Sequence, residues 1–273
     1  MTSTSAQPVE PLAQRERWLR AELDEPGSMW SDITLVDQTT STNADLTARA
    51  TQGAPSGTVL IADYQSAGRG RLDRTWTAPP GTSLAVSLVV RPTADLTRWS
   101  WLPLITGMAV ASTLVATRVN AGLKWPNDVV VGDRKLAGIL TELVSTPDGP
   151  ACVIGWGLNT RMTPDQLPVP TATSLWIEGA RTISTVVLVA TVLRRFERVY
   201  AEWESQDHDE DLRDAYLQLC TTIGRTVTVT LTGGEVLTGA AAGIDEAGRL
   251  LVRTEDGVRA VAAGDVVHAR PSA

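Results

Sequence analysis

The densest potential chemistry lies in Gly68-Arg69-Gly70-Arg71, with Arg74 close behind. Two glycines let the backbone approach a ligand and take positive φ. A guanidinium pairs with phosphate or carboxylate oxygens in a bidentate way. Cations at 69, 71 and 74 repel one another unless an anion neutralises them, so this stretch is expected to order around a negatively charged ligand. The plainer alternative is a solvated basic turn. It is not a dinucleotide fingerprint, because Asp73 stands where a third small residue belongs and no helical pattern follows. No Gly-Lys-Ser/Thr phosphate loop occurs either, so a nucleotide would need a different cradle.

Four other stretches hold groups with possible chemistry. Lys124, Asn127 and Asp128 surround Pro126 at a strand-to-strand transition, where turn chemistry alone also explains them. Lys135 stands ahead of an apolar run, placed to meet an oxygen that gains charge in a transition state, or else exposed on a hairpin. Gly155 and Gly157 are two apart in a strand, which suits close approach of a ligand or a bulge. Ser41, Thr42, Asn43 and Gln65 form a neutral set able to hydrogen-bond a neutral polar head group, and the Ser/Thr/Asn run also suits a helix N-cap.

The background composition narrows the options. The chain has 273 residues, 43% hydrophobic and 20% charged, enough for a sizeable core. Its net charge of −7 argues against broad binding of a nucleic-acid backbone, leaving room only for a local basic patch. Cys152 and Cys220 make no disulfide framework or metal spacing and are expected to be buried thiols. His208 and His268 lie too far apart in sequence to suggest a His-rich zinc site. The N-terminus lacks an apolar signal region, and apolar runs break before a spanning length of ~20 residues. The expectation is a soluble, cytoplasmic protein with neither nucleic-acid nor membrane partners. Nine Trp against one Phe are read as core or rim packing.

These groups need positioning elements. Leu12, Trp18, Leu19 and Leu23 share a helical face that ends at Pro26-Gly27. Strands are expected at 33–36, 58–64, 83–90 and 151–160, and two strands within 123–145 around the turn Gly132-Asp133. Helices are expected from about Asn43 to Gly53, over 103–119, 182–203 and 209–219. The alternation is not regular βαβ, which favours a mixed α+β sheet. From about Ile223 the chain becomes five short β-rich runs punctuated by Gly233-Gly234, Gly248 and Asp256-Gly257, suggesting a small SH3-like barrel.

The order of STN (41–43), QSAGRGR (65–71) with Trp76 soon after, KWPND (124–128), KLAGIL (135–140) and GWGLN (155–159) resembles the biotin protein ligases over about residues 40–160. The β-rich tail resembles that family's C-terminal domain. Residues 1–10, polar with two Pro, read as a disordered tail; the resemblance implies a class II synthetase-like mixed-sheet catalytic domain over 11–222 and an SH3-like domain over 223–273. It implies a two-step reaction. Biotin carboxylate attacks the α-phosphate of ATP, with Mg²⁺ sharing the phosphate charge. A lysine of a biotin carboxyl carrier domain then attacks the adenylate.

By the same resemblance, biotin is bound by Ser41, Thr42, Asn43, Gln65, Arg69, Gly70, Arg71, Lys135, Gly155 and Gly157. The adenylate side falls to Arg69, Arg71, Lys124, Trp76, Asn127 and Asn159. Lys135, Arg69, Arg71 and Asp128 are the implied catalytic groups, Asp128 orienting the carrier amine or accepting its proton. Metal ligands are left unassigned. Asp73 departs from the family's usual glycine and puts a negative charge in the anion loop, from which looser closure is expected. Only about 30 residues precede the first strand, too few for the DNA-binding winged helix of some members, so a repressor role is not expected. The rivals are a lipoate or octanoate ligase or acyltransferase of the same superfamily, and a biotin-binding module without ligase activity.

Overall fold

The computed structural model describes residues 10–205, 210–231, 233–262 and 264–268. Most of the expected N-terminal tail and His208 lie outside them. Helix α1 (Leu12–Leu23) buries Leu19 and Leu23 and leads to strand β1 (Asp32–Thr39). Helix α2 (Thr42–Thr51) begins where the Ser41 Oγ accepts from the Ala44 N–H at 3.4 Å, the N-cap its residue type suggested. Strand β2 (Thr58–Gln65) then returns parallel to β1. A two-step hairpin, β3 (Gly68–Arg69) and β4 (Thr75–Trp76), occupies the stretch read as loop.

Strand β5 (Ser83–Val90) is followed by a 3₁₀ turn at Leu96–Trp101 and helix α3 (Leu102–Ala116). Strands β6 (Ala121–Lys124), β7 (Asp128–Val131), β8 (Arg134–Thr146) and β9 (Gly149–Asn159) form an antiparallel meander. Here the structure corrects the expectation of two strands: β6 is a third, too short and mixed in composition to show its own period, yet paired to β7 across the Trp125–Asn127 turn. Helices α4 (Thr185–Ser205) and α5 (Glu210–Leu219) complete this part.

The large sheet has the order β1-β2-β5-β9-β8-β7-β6 and is mixed, with only β1 and β2 parallel. Alternation sends successive side chains to opposite faces. Ile61, Val86, Leu88 and Ile154 enter the main core with residues of α3 and α4, whereas Leu60, Val89 and Val153 pack against Leu46 and Ala50 of α2. The segment Leu96–Ala116 is long and apolar enough to cross a membrane, but 72% of its apolar window is buried inside the fold.

The tail folds as β10 (Thr226–Leu231), β11 (Val236–Ile244), β12 (Leu250–Thr254), β13 (Gly257–Val261) and β14 (Gly264–His268). These pair antiparallel in the order β13-β12-β11-β10-β14; among the described residues no ladder joins β13 to β14, so the sheet is SH3-like in size but not a closed barrel. Two buried indoles fasten it. Trp101 Nε1 donates to Glu246 O at 2.7 Å and Trp125 Nε1 to Gly248 O at 3.0 Å. Part of the tryptophan excess therefore joins the two sheets.

Candidate active site

A cavity of about 60 Å³ lies on the α2 side of the large sheet. Ser41, Thr42 and Asn43 reach it from the start of α2, and Gln65 from the end of β2. Arg69, Gly70, Arg71 and Trp76 come from the β3–β4 hairpin, Asn127 from the β6–β7 turn, Lys135 from β8, and Gly155 and Gly157 from β9. Asp128 stands behind this wall, 2.6 Å from Lys135 Nζ.

Two expected residues lie elsewhere. Asn159 shares a strand face with Gly155 and Gly157, but its buried amide donates to Thr173 O at 2.9 Å and so ties down the segment after β9. Lys124, outside this lining, influences the ionisation of Asp265 and His268 through its charge.

The glycines are spaces for other side chains. A Cβ on Gly155 would come within 1.9 Å of Asn43 Oδ1, and one on Gly157 within 2.8 Å of the Trp76 ring. Trp76 thus lies flat on β9, with Lys135 Nζ 5.6 Å from its ring centroid. In the hairpin turn Leu72 and Asp73 have φ of 55° and 56°. Asp at the second position suits this left-handed geometry better than most residues.

A hydrogen-bond chain runs along the α2 end of the cavity. Asn43 Nδ2 donates to Glu142 Oε2 at 2.8 Å and to Leu140 O at 3.3 Å. Asn43 Oδ1 accepts from Ser87 Oγ at 2.6 Å, and Ser87 Oγ lies 2.7 Å from Thr42 Oγ1. Gln65 Oε1 accepts from the Thr42 N–H at 2.8 Å and is 3.1 Å from its hydroxyl. Ser87 and Glu142 were missed in the sequence, where the clues were the polar Ser87 inside SLAVSLVV and the pair Thr141-Glu142 inside KLAGILTEL.

The cations are not equivalent. Arg69 pairs with Glu142 at 2.8 Å, Lys135 with Asp128 at 2.6 Å, and Arg74 with Asp265 of β14. That last contact holds the Asp265 carboxyl below its usual range. Arg71 donates to the neutral Asn127 Oδ1 at 3.0 Å and has no carboxylate at ion-pair distance among the described residues. Burial lowers its pKa, yet a guanidinium stays charged. A second cavity of about 210 Å³, walled by Trp99, Trp125 and Pro126 and by Gly248 and Ala262 of the small sheet, shares Arg71, Asn127 and Ile139 with the first.

Other reactive groups are quiet. Burial pushes the Cys152 thiol up to about 12, and Cys220 is raised for the same reason. Neither supplies a thiolate at neutral pH. Among the described residues no group of three or more His, Cys, Asp or Glu is placed to hold a metal ion.

Comparison with known proteins gives concordant results. The model of the biotin/lipoate A/B protein ligase family matches residues 35–159, and that of the biotin protein ligase C terminal domain matches 222–269. The chain is 40% identical over 261 residues to a biotin–[acetyl-CoA-carboxylase] ligase of Mycobacterium tuberculosis, covering 93% of this chain and 96% of that protein. It is 30% identical over 235 residues to the bifunctional ligase/repressor BirA of Bacillus subtilis, covering 84% of this chain and 72% of that protein. The fold matches a biotin protein ligase from Aquifex aeolicus in complex with biotin and ATP, with a TM-score of 0.75 at 26% identity over 88% of this chain and all of that one.

Proposed function

Since the chain belongs to the biotin/lipoate A/B protein ligase family, we propose that it activates biotin with ATP and transfers the biotinyl group to a lysine of a carboxylase's biotin carboxyl carrier domain. The observation that carries this reading is Arg71. A half-buried cation with no carboxylate at ion-pair distance among the described residues is only partly compensated, and an anionic ligand would complete it. Arg71 stands on the wall common to two adjoining cavities, and the reaction brings two anions together.

In the first step a biotin carboxylate oxygen bonds to the α-phosphorus of ATP while the bond to the β-phosphate oxygen breaks, releasing pyrophosphate. Arg71 and Lys135 lower the repulsion between the carboxylate and the phosphate, and they stabilise charge that grows on the phosphoryl oxygens. Asp128 steers Lys135 through their 2.6 Å contact. Mg²⁺ is part of this proposal as a partner of ATP: the phosphates would supply its ligands and it would share their charge.

In the second step the carrier lysine nitrogen bonds to the biotinyl carbonyl carbon, loses its proton and displaces AMP. Asp128 is the acidic group beside Lys135 that orients this amine or takes the proton. A cytoplasmic reaction is part of this proposal.

The strip bared by Gly138 and Gly157 suits a flat ring system, but the Trp76 indole covers it. Biotin therefore enters by moving the hairpin that carries Trp76, Arg69 and Arg71.

The test is transfer of labelled biotin to a purified carrier domain, with lipoate and octanoate as rival acids. Wild type should label the carrier with biotin only. Arg71→Gln should lower the rate of pyrophosphate release about 10²-fold, the typical effect of removing one transition-state donor. Wild-type protein that releases no pyrophosphate from biotin and ATP overturns the reading.

A further inference from the structure

Among the described residues, Glu142 is the one carboxylate in contact with the polar chain on the α2 side of the cavity. Its side chain is mostly buried, and it takes both the Asn43 amide at 2.8 Å and the Arg69 guanidinium at 2.8 Å. The family reading assigns it no role.

Its charge has a directional consequence. With Asn43 Nδ2 held by Glu142 and by Leu140 O, the amide has one orientation. Flipping it would set its oxygen against a carboxylate and a carbonyl at once. Asn43 Oδ1 therefore faces Ser87 and accepts the single hydroxyl hydrogen of that residue at 2.6 Å. Ser87 then has only lone pairs for Thr42. The Thr42 hydroxyl hydrogen therefore goes to Ser87 Oγ at 2.7 Å, a separation that needs a hydrogen between the two oxygens, rather than to Gln65 Oε1 at 3.1 Å. Thr42 then turns a lone pair to the cavity that it lines. Each hydrogen from Thr42 to Asn43 is engaged inside the wall, and an anion fixes the order.

We propose that Glu142 is a positioning residue that sets the donor–acceptor polarity of the head-group wall, so that Thr42 accepts from an N–H of the ligand. The proposal rests on the biotin reading, in which that N–H belongs to the ureido ring. Because Arg69 is held by the same carboxylate, the wall and the mobile hairpin share one anchor.

The test compares pyrophosphate release with biotin and with its two cyclic carbamate analogues, in each of which an oxygen replaces one ureido N–H. Wild type should reject one analogue strongly, because Thr42 then faces an oxygen. Glu142→Gln keeps the shape but can present its NH₂ to Asn43 and reverse the order. Its preference for biotin over that analogue should narrow about tenfold, mainly through a higher KM for biotin. Ser87→Ala cuts the chain between Asn43 and Thr42 while leaving the Arg69–Glu142 pair, and it should narrow the preference likewise. A preference unchanged in both variants, whether overall activity stays or falls, overturns the role of Glu142. Failure of wild type to turn over biotin counts against the ligase reading instead.

Discussion

Acidification should weaken the seam between the two sheets through one histidine. His268 on β14 has a side chain only 10% exposed. Arg225 Nη1 lies 3.2 Å from its Nδ1, and Thr222 Oγ1 lies 3.1 Å from its Nε2. A guanidinium only donates, so Nδ1 accepts and the ring proton sits on Nε2, facing Thr222. Burial first, then the charges of Lys124 and Arg225, lower the pKa from 6.5 to about 4. The folded state thus resists protonation. Between these two values the unfolded chain binds more protons, so stability rises with pH across the window, is complete above 6.5 and is lost as pH falls toward 4.

At about 1.4 kcal/mol per unit the full effect is about 3 kcal/mol, of the order of a fifth to a half of a typical domain's stability. Urea unfolding, followed by tryptophan fluorescence at about pH 7 and about pH 4.5, measures it. His268→Gln can still accept from Arg225 and donate to Thr222 but does not titrate in this window. Other acid-sensitive groups affect both proteins alike, so the difference between them isolates the histidine. Wild type should lose most of that ~3 kcal/mol relative to the variant on going to the lower pH. Equal losses in the two proteins would refute the reasoning.

Asp128→Asn should slow transfer from preformed biotinyl-adenylate to the carrier about tenfold more than it slows adenylate formation, in keeping with loss of general-base assistance; separate assays of the two half-reactions decide this. Equal slowing of both steps would assign Asp128 only to holding Lys135. Trypsin should cut within Arg69–Arg74 in the ligand-free protein, and biotin with ATP should protect these bonds severalfold; mass spectrometry of timed digests reads it, and unchanged cleavage means that the hairpin does not close on its ligands.

Much of the site was legible because its signals are local. Gly-Arg-Gly-Arg marks a turn dense in cations, and a Ser-Thr-Asn run caps a helix through bonds spanning three residues. The near-continuous apolar runs SLAVSLVV and ACVIGWGLN placed two central strands, since a strand covered on both faces needs no polar alternation. The β6 strand escaped because four residues are too few to show a period, and its strand character comes from its partner.

What tertiary structure alone decided is which charges meet. Arg74 finds Asp265, Arg69 finds Glu142 and Asn43 finds both Glu142 and Ser87, all across long sequence separations. Whether a cation is neutralised or left to bind a substrate depends on distances of a few ångströms, because ion-pair energy falls steeply with separation and solvent access. The four cations of this site look alike in the sequence; only folding pairs off three of them with carboxylates and leaves Arg71 with none at ion-pair distance among the described residues.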